Sequence, residues 1–381
     1  SQPDSEYPYQ SVFSTSEGYF LFDGTRYPTG INTPSLINPN LTWEKSTTKN
    51  LGFDFTFLQS RLTFTADIFE RKVTDILIPG GKDYPALIGD DDLPFENAGI
   101  LKTTGFELQA KWSDKLANGF RYSVGVALSD DKAKVVSYPS NPTNKIGDGV
   151  LYKGYTVGDI WGYETGGILQ ESDFDGVGPN GKPLYHGAYF KGGQPYPGYV
   201  WYQDLDHDGV ITSGLSTVDD PGDKKVIGNN APRYRYNITA NFQYKGFDLD
   251  LMFQGVGKRD YWLKDVSSYW GGGAGSWETY NQSWTPERTD AKFPMYGSGI
   301  GSYAQSGYLL DASYIKLKQV ILGYTFPKAL IGKVGLEKLR LNIAAYNLFT
   351  LSDVPKYYDS DYLSDAYPPK RTFSVGIQVG F

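Results

Sequence analysis

The chain closes on RTFSVGIQVGF, residues 371–381. Taken in steps of two, it reads Phe373, Val375, Ile377, Val379 and Phe381, with Thr372, Ser374, Gly376, Gln378 and Gly380 between them. Strict alternation is the signature of a strand with two unlike faces. A soluble sheet satisfies it by laying the apolar face on a core. A strand with lipid on one side and water on the other satisfies it equally well.

The same period recurs along the chain. Leu51, Phe53, Phe55 and Phe57 alternate with polar or glycine residues, as do Leu62, Phe64, Ala66 and Ile68, and Phe106, Leu108, Ala110 and Trp112. Phe120 to Leu128, Tyr234 to Tyr244 and Phe247 to Phe253 follow the same rule. Two more strands are predicted near 308–327 and 336–353. The first changes phase between Ile315/Leu317 and Val320/Leu322, which places a β-bulge near Lys318–Gln319. With the last strand this makes about nine, and the fold class is all-β. The chain has 45 Gly, 22 Pro, 31 Tyr, 21 Phe and 8 Trp, a usage that suits strands and turns. No run approaches the roughly 18 apolar residues of a transmembrane helix, which does not bear on barrel strands.

The polar faces carry Thr, Ser, Asn, Gln and Gly rather than the Lys and Glu of a bulk-water surface. The apolar faces of these strands carry no charge, and aromatics stand beside the short turns: Phe57, Trp112, Phe120, Tyr244, Phe247, Phe326 and Phe381. That is the layout of a membrane barrel with an interfacial aromatic girdle. Connections alternate short (Leu58–Ser60, Ser113–Asn118, Tyr244–Gly246) and long (79–101, 139–232, 262–307, 354–370). Outer-membrane barrels alternate periplasmic turns and extracellular loops in this way. Placing the short turns in the periplasm makes the strand near 44–57 descend and leaves Phe381 periplasmic. Nine strands beginning with a descending one cannot close a bacterial barrel of even strand number. Residues 1–43 read as extracellular loop, and 44–381 as the C-terminal part of a larger transmembrane barrel.

Several stretches, in order, resemble the SusC-like TonB-dependent outer-membrane transporters. They are NPNLTWEKSTTKNLGFDFTFLQSRLTFTADIFERKVTDIL from Asn38, WYQDLDHDGVIT followed by VIGNNAPRYRYNITANFQYKGFDLDLMFQGVG, and SWTPERTDAKFP (Ser283–Pro294). YLLDASYIKLKQVILGYTFP (Tyr308–Pro327), AYNLFTLSD (Ala345–Asp353) and the terminal strand ending in Phe complete the series. The resemblance implies a 22-stranded barrel with an N-terminal plug that imports oligosaccharides or oligopeptides with energy from TonB. It also implies a SusD-like lipoprotein lid. The plug, the TonB-contacting segment and the first barrel half would be the partners this chain lacks. The expected location is the bacterial outer membrane. The rival reading is a soluble extracellular β-sandwich that binds or cleaves glycans.

Three groups of residues are candidate sites. In DLDHDGVI, Asp204, Asp206, Asp208 and Gly209 fit positions 1, 3, 5 and 6 of a calcium loop, with Val210 at the carbonyl position. The bidentate Glu of position 12 is replaced by Leu215, so Asp219, Asp220 or Asp223 would have to close a structural Ca²⁺ site. Trp262, Trp270, Trp277 and Trp284 cluster in 262–284 as candidates for ligand or lid contact, with loop packing as the alternative. Phe373, Val375, Ile377, Val379 and Phe381 are predicted to face lipid. No catalytic constellation stands out: His186 and His207 form no metal-binding pair, no nucleophile elbow or phosphate loop is present, and the chain lacks cysteine. A net charge of −7 argues against a nucleic-acid partner.

Overall fold

A computed structural model describes residues 15–22, 25–31, 37–80, 94–262, 280–298, 303–354, 358–363 and 369–381. β1 (Thr15–Phe22) and β2 (Thr25–Ile31) form a separate antiparallel hairpin. Four long strands follow: β3 (Lys45–Phe57), β4 (Leu62–Pro79), β5 (Phe95–Lys115) and β6 (Arg121–Ser137). Eight short ones come next. They are β7 (Asp159–Tyr163), β8 (Thr165–Ile168), β9 (Phe174–Val177), β10 (Pro183–Tyr185), β11 (Tyr189–Phe190), β12 (Val200–Tyr202), β13 (Val210–Ile211) and β14 (Lys224–Asn229). The chain then runs through β15 (Arg233–Tyr244), β16 (Phe247–Lys258), β17 (Asp260–Trp262), β18 (Leu309–Asp311), β19 (Tyr314–Thr325), β20 (Lys338–Ser352) and β21 (Thr372–Gly380).

Nine of these strands make one sheet, in the order β21-β20-β19-β16-β15-β6-β5-β4-β3, with every pair antiparallel. This is the predicted set, and it forms part of a barrel wall. The bulge falls where the phase change put it. Met252 pairs with Gln319 and Phe253 with Leu317, so Lys318 is the extra residue. The tight turn between β15 and β16 is built on Lys245 and Gly246, at φ 47° and 86°, the left-handed pair that a two-residue hairpin needs.

Register aligns the apolar residues across strands. Leu51, Ile68 and Phe106 form one row, and Phe55, Phe64, Ala110, Val126, Ile238 and Phe253 another. At the short-turn end the rings touch one another: Phe120 lies 5.9 Å from Tyr122 and 6.2 Å from Phe242, and Phe247 lies 4.5 Å from Tyr324. The opposite face is polar and concave. It holds a hollow of about 550 Å³ lined by Thr65, Asp67, Glu107, Arg235 and Asn237. A second, of about 650 Å³, lies between Arg121, Asp248 and Arg340.

Most buried apolar side chains lie on the long-connection side rather than in the sheet. Val135, Ile146, Tyr152 and Tyr155 make one cluster, and Tyr163, Val200, Tyr202 and Ile211 a second. Ala312, Val354 and Leu363 make a third. The segment 138–232 is therefore a folded cap with its own core, not an open loop.

Two sequence boundaries require correction. Residues 1–43 contain the β1–β2 hairpin. An Asp-Gly dipeptide, residues 23–24, separates its strands in the sequence and is a hairpin signal. The long connection placed at 79–101 is shorter, because β5 begins at Phe95. Its first turn hides the period: Asp75 sits at φ 58° in a register shift, and Asn97 bonds to the backbone oxygens of Thr42 and Asp75.

Gly323 of β19 shows how the inner wall is fitted. Asp248 on β16 and Arg340 on β20 meet over its backbone, the guanidinium Nε donating at 3.2 Å. A Cβ on Gly323 would strike both side chains. Gly323→Val should push these two flexible side-chain ends apart and weaken the pair at a cost of up to about 1 kcal/mol. A lower midpoint of heat-induced barrel unfolding checks it, and an unchanged midpoint refutes it.

Candidate functional site

The inner wall comes from alternate residues of nine strands, and its polar side chains bind one another across strands. The Thr65 hydroxyl donates to Asp54 at 2.6 Å and the Asn50 amide to Asp67 at 3.0 Å. Asn241 donates to Asp250, and Arg235 pairs with Asp131. Asp67 and Glu107 stand directly opposite, like charges side by side. Charges of both signs, amides and hydroxyls around water-sized hollows make a surface over which a polar solute can move. The arrangement suits binding and passage.

At the long-connection end one lysine is buried. Lys316 points inward, its side chain 4% exposed, and its Nζ donates to Asp359 at 2.8 Å and to Asp361 at 2.8 Å. Lys318, the bulge residue, reaches Asp361 at 3.1 Å. Arg259 donates to the carbonyl oxygen of Asp361 at 3.1 Å. Desolvation would raise the Asp361 carboxyl, but hydrogen bonds from Lys316, Tyr314 and Lys318 outweigh it and hold the group below the usual range. The described part of the connection after β20, residues 358–363, is thus clamped to the wall by charge.

The acidic loop lies in the cap between β12 and β13. Asp204, Asp206 and Asp208 each offer an oxygen, all within 4.8 Å of one another. Asp204 accepts from the N–H groups of His207 at 2.7 Å and Gly209 at 2.8 Å, and Asp208 accepts from Val210 at 2.8 Å. The turn needs left-handed backbone at His207 (φ 63°) and Gly209 (φ 85°). Desolvation raises the Asp204 carboxyl, but the N–H bonds from Gly209, His207 and Asp208 lower it further. At Asp206 a bond from Asp208 N–H lowers the pKa, yet desolvation and repulsion from Asp208, Asp223 and Asp204 leave it raised. A cation there would relieve that repulsion, and three carboxylates on a tight turn suit a hard one. Val210 belongs to β13, paired with Tyr189. Asp219 is not among the converging carboxylates. Asp223 is fully buried and accepts from the N–H groups of Leu205 and Thr212, both at 2.7 Å, so it ties the two ends of the turn together.

The tryptophans separate. Trp284 is 4% exposed, and its indole N–H donates to Gln170 at 3.0 Å. Its ring is used in packing, as in the alternative reading of that position. Trp262 ends β17, opposite Leu309, and is half-buried. Trp270 and Trp277 lie outside the described residues. On β21 and just past its end, Phe373, Val375, Ile377, Val379 and Phe381 are 68, 76, 69, 43 and 89% exposed. The clamp around Lys316 escaped sequence reading, because its partners lie 43 and 45 residues away.

The family model described as "TonB dependent receptor-like, beta-barrel" matches residues 8–348. TonB-dependent receptor P3 of Formosa agariphila is 27% identical over 402 residues, covering 98% of this chain and 38% of the relative. TonB-dependent receptor SusC of Bacteroides thetaiotaomicron is 26% identical, covering 99% of this chain and 36% of the relative. Among solved structures, the RagAB peptide importer in its 'open-open' state has the same fold at a TM-score of 0.73. There the identity is 20%, covering 99% of this chain and 38% of that one. The chain thus spans well under half the length of the relatives it matches.

Replacing Lys316 with Met should strand Asp359, leave Asp361 to Lys318 alone and loosen residues 358–363, a loss of about 3–5 kcal/mol for a broken buried pair. Faster amide exchange confined to that segment is the readout. Because the folded Asp361 pKa is depressed, its contribution is complete above the ordinary carboxylate value of 3.8 and fades as pH falls below it. Acid should therefore free the same segment in the parent protein.

Proposed function

The chain belongs to the TonB-dependent receptor-like β-barrel family, and we propose that it supplies nine wall strands of an outer-membrane importer. One observation carries the reading: a single sheet has an exposed apolar face running from β3 to β21 and a hollowed polar face behind it. In this reading Phe373, Val375, Ile377, Val379 and Phe381 meet lipid, the polar face lines the passage, and the long connections, cap included, lie outside the cell. The cargo is an oligopeptide or oligosaccharide, which the amide- and hydroxyl-rich wall would hold by many weak bonds. A SusD-like lipoprotein closes the outer mouth against the cap, with Trp262 near that rim. Plug and TonB contacts belong to parts of the transporter other than these strands. The acidic loop carries a structural Ca²⁺ on Asp204, Asp206 and Asp208, which stiffens the cap.

The sandwich alternative is disfavoured. It needs a second sheet over the apolar face, and among the described residues nothing covers Phe373 to Phe381.

These 381 residues hold no cysteine, so an introduced one is the single thiol on these strands. In the full transporter in membranes, Val375→Cys should be reached only by a bilayer-soluble thiol reagent, and Ser374→Cys by a water-soluble one. Equal labelling of both by the aqueous reagent would overturn the barrel assignment. Val375→Lys should destabilise the barrel by about 2–4 kcal/mol, and Ser374→Lys far less. For the acidic loop, Ca²⁺ should raise the thermal midpoint, and Asp204→Asn with Asp208→Asn should abolish that rise. An equal rise in the double variant would remove the metal.

A further inference from the structure

Above the apolar band, the outward face of β3 to β6 becomes basic. On β4, Leu62, Phe64, Ala66 and Ile68 point outward, and the next outward residues are Glu70 and Lys72. Register sets Lys72 directly opposite Lys102 on β5, and Lys102 directly opposite Lys134 on β6. One step nearer the apolar band, Lys49, Glu70, Thr104 and Lys132 form a second row. Neighbouring strands lie about 4.8 Å apart, so the three lysines of the upper row stand side by side.

Like charges in direct cross-strand register are unfavourable, and the carboxylates nearby are already engaged. Glu70 pairs with Lys102 at 2.7 Å, Asp130 with Arg233, and Asp75 with Lys45 at 2.9 Å. Lys49, Lys72, Lys132 and Lys134 are exposed, and among the described residues none of the four forms an ion pair. The patch is local: on β20, Leu351 stands outward as far above Leu341 as Lys72 stands above Leu62, and it is 63% exposed.

The height of the patch identifies the counter-charge. Lys72, Lys102 and Lys134 each lie ten residues from Leu62, Trp112 and Val124, which form a single row at the short-turn end. Ten residues span about 34 Å of strand, or about 25 Å along the membrane normal at a tilt near 40°, the height of a barrel's apolar band. The lysines therefore emerge where acyl chains give way to headgroups.

We propose that this outward patch of Lys49, Lys72, Lys102, Lys132 and Lys134 binds the phosphate groups of lipid headgroups in the outer leaflet. The inference rests on the orientation given above, with the long connections outside the cell. Lys102 is held in place by Glu70, while the other four turn toward the lipid. The ligand is a headgroup with more than one phosphate, because the ammonium groups form two rows rather than a single point.

The test uses the full transporter, stripped of lipid in detergent and placed in phosphatidylcholine bilayers with or without bis-phosphorylated lipid A. Native mass spectrometry reads bound lipid A per protein. The combined change Lys72→Gln, Lys132→Gln and Lys134→Gln should lower lipid A affinity about fivefold per lysine, the usual strength of a basic side chain at an anionic lipid surface. Lys328→Gln with Lys333→Gln, at the short-turn end, should leave it unchanged, and heat-modified migration on gels confirms that each variant is folded. Retention of lipid A by the triple variant at parental affinity would overturn the proposal, as would equal binding of a lipid A without phosphates. Failure of the barrel to insert, or insertion with the cap facing inward, would instead overturn the orientation on which it rests.

Discussion

In a hydrocarbon layer a backbone N–H or C=O without a partner costs several kcal/mol, so strands can cross only as members of a continuous hydrogen-bonded wall. The nine-stranded sheet obeys this constraint from β4 to β20, where each strand has a partner on both sides. Everything else follows from it. Because the ladder consumes the backbone, only side chains remain to tell inside from outside, and period-2 alternation assigns them. Phe373 and Ser374, one residue apart, are thereby given to different environments.

The division of labour between the two ends follows the same logic. The short-turn end needs only to reverse the chain, and Lys245–Gly246 does so in two residues. The other end carries the long connections, which form 3-10 turns, a hairpin and small sheets. There the chain builds cores of tyrosine and aliphatic residues, such as Tyr163, Val200, Tyr202 and Ile211, that the wall cannot host. Burial pushes the Tyr163 hydroxyl up to about 12, with Tyr303 and Asp223 adding to the rise. The clamp of Lys316, Asp359 and Asp361 fastens a connection to the wall by charge, a bond that packing against a polar surface would not provide.

The parts of this design written locally were legible in the sequence. The strands of the sheet, the bulge at Lys318 and the two faces of β21 each depend on residues close in the chain. What depends on distant partners was not. Lys316 looked like one more inward polar residue until Asp359 and Asp361 came to lie against it. Trp284 looked like a contact residue until Gln170 took its indole N–H. Asp219 and Asp223 were equivalent in the sequence, and only the fold buried Asp223 between Leu205 and Thr212. The β1–β2 hairpin differs, since its Asp-Gly signal is local.

The cap between β6 and β15 has a consequence for how such walls diversify. Its two ends are fixed on adjacent strands, Ser129 of β6 pairing with Arg235 of β15. Chain entropy rises only with the logarithm of loop length, so spanning that gap with nearly a hundred residues rather than three costs about 3 kcal/mol. A small core of its own offsets that. Insertions and deletions within the cap can therefore reshape the outer surface while the register of the strands beneath stays fixed. The cap and the scaffold that bears it can change at different rates within one gene.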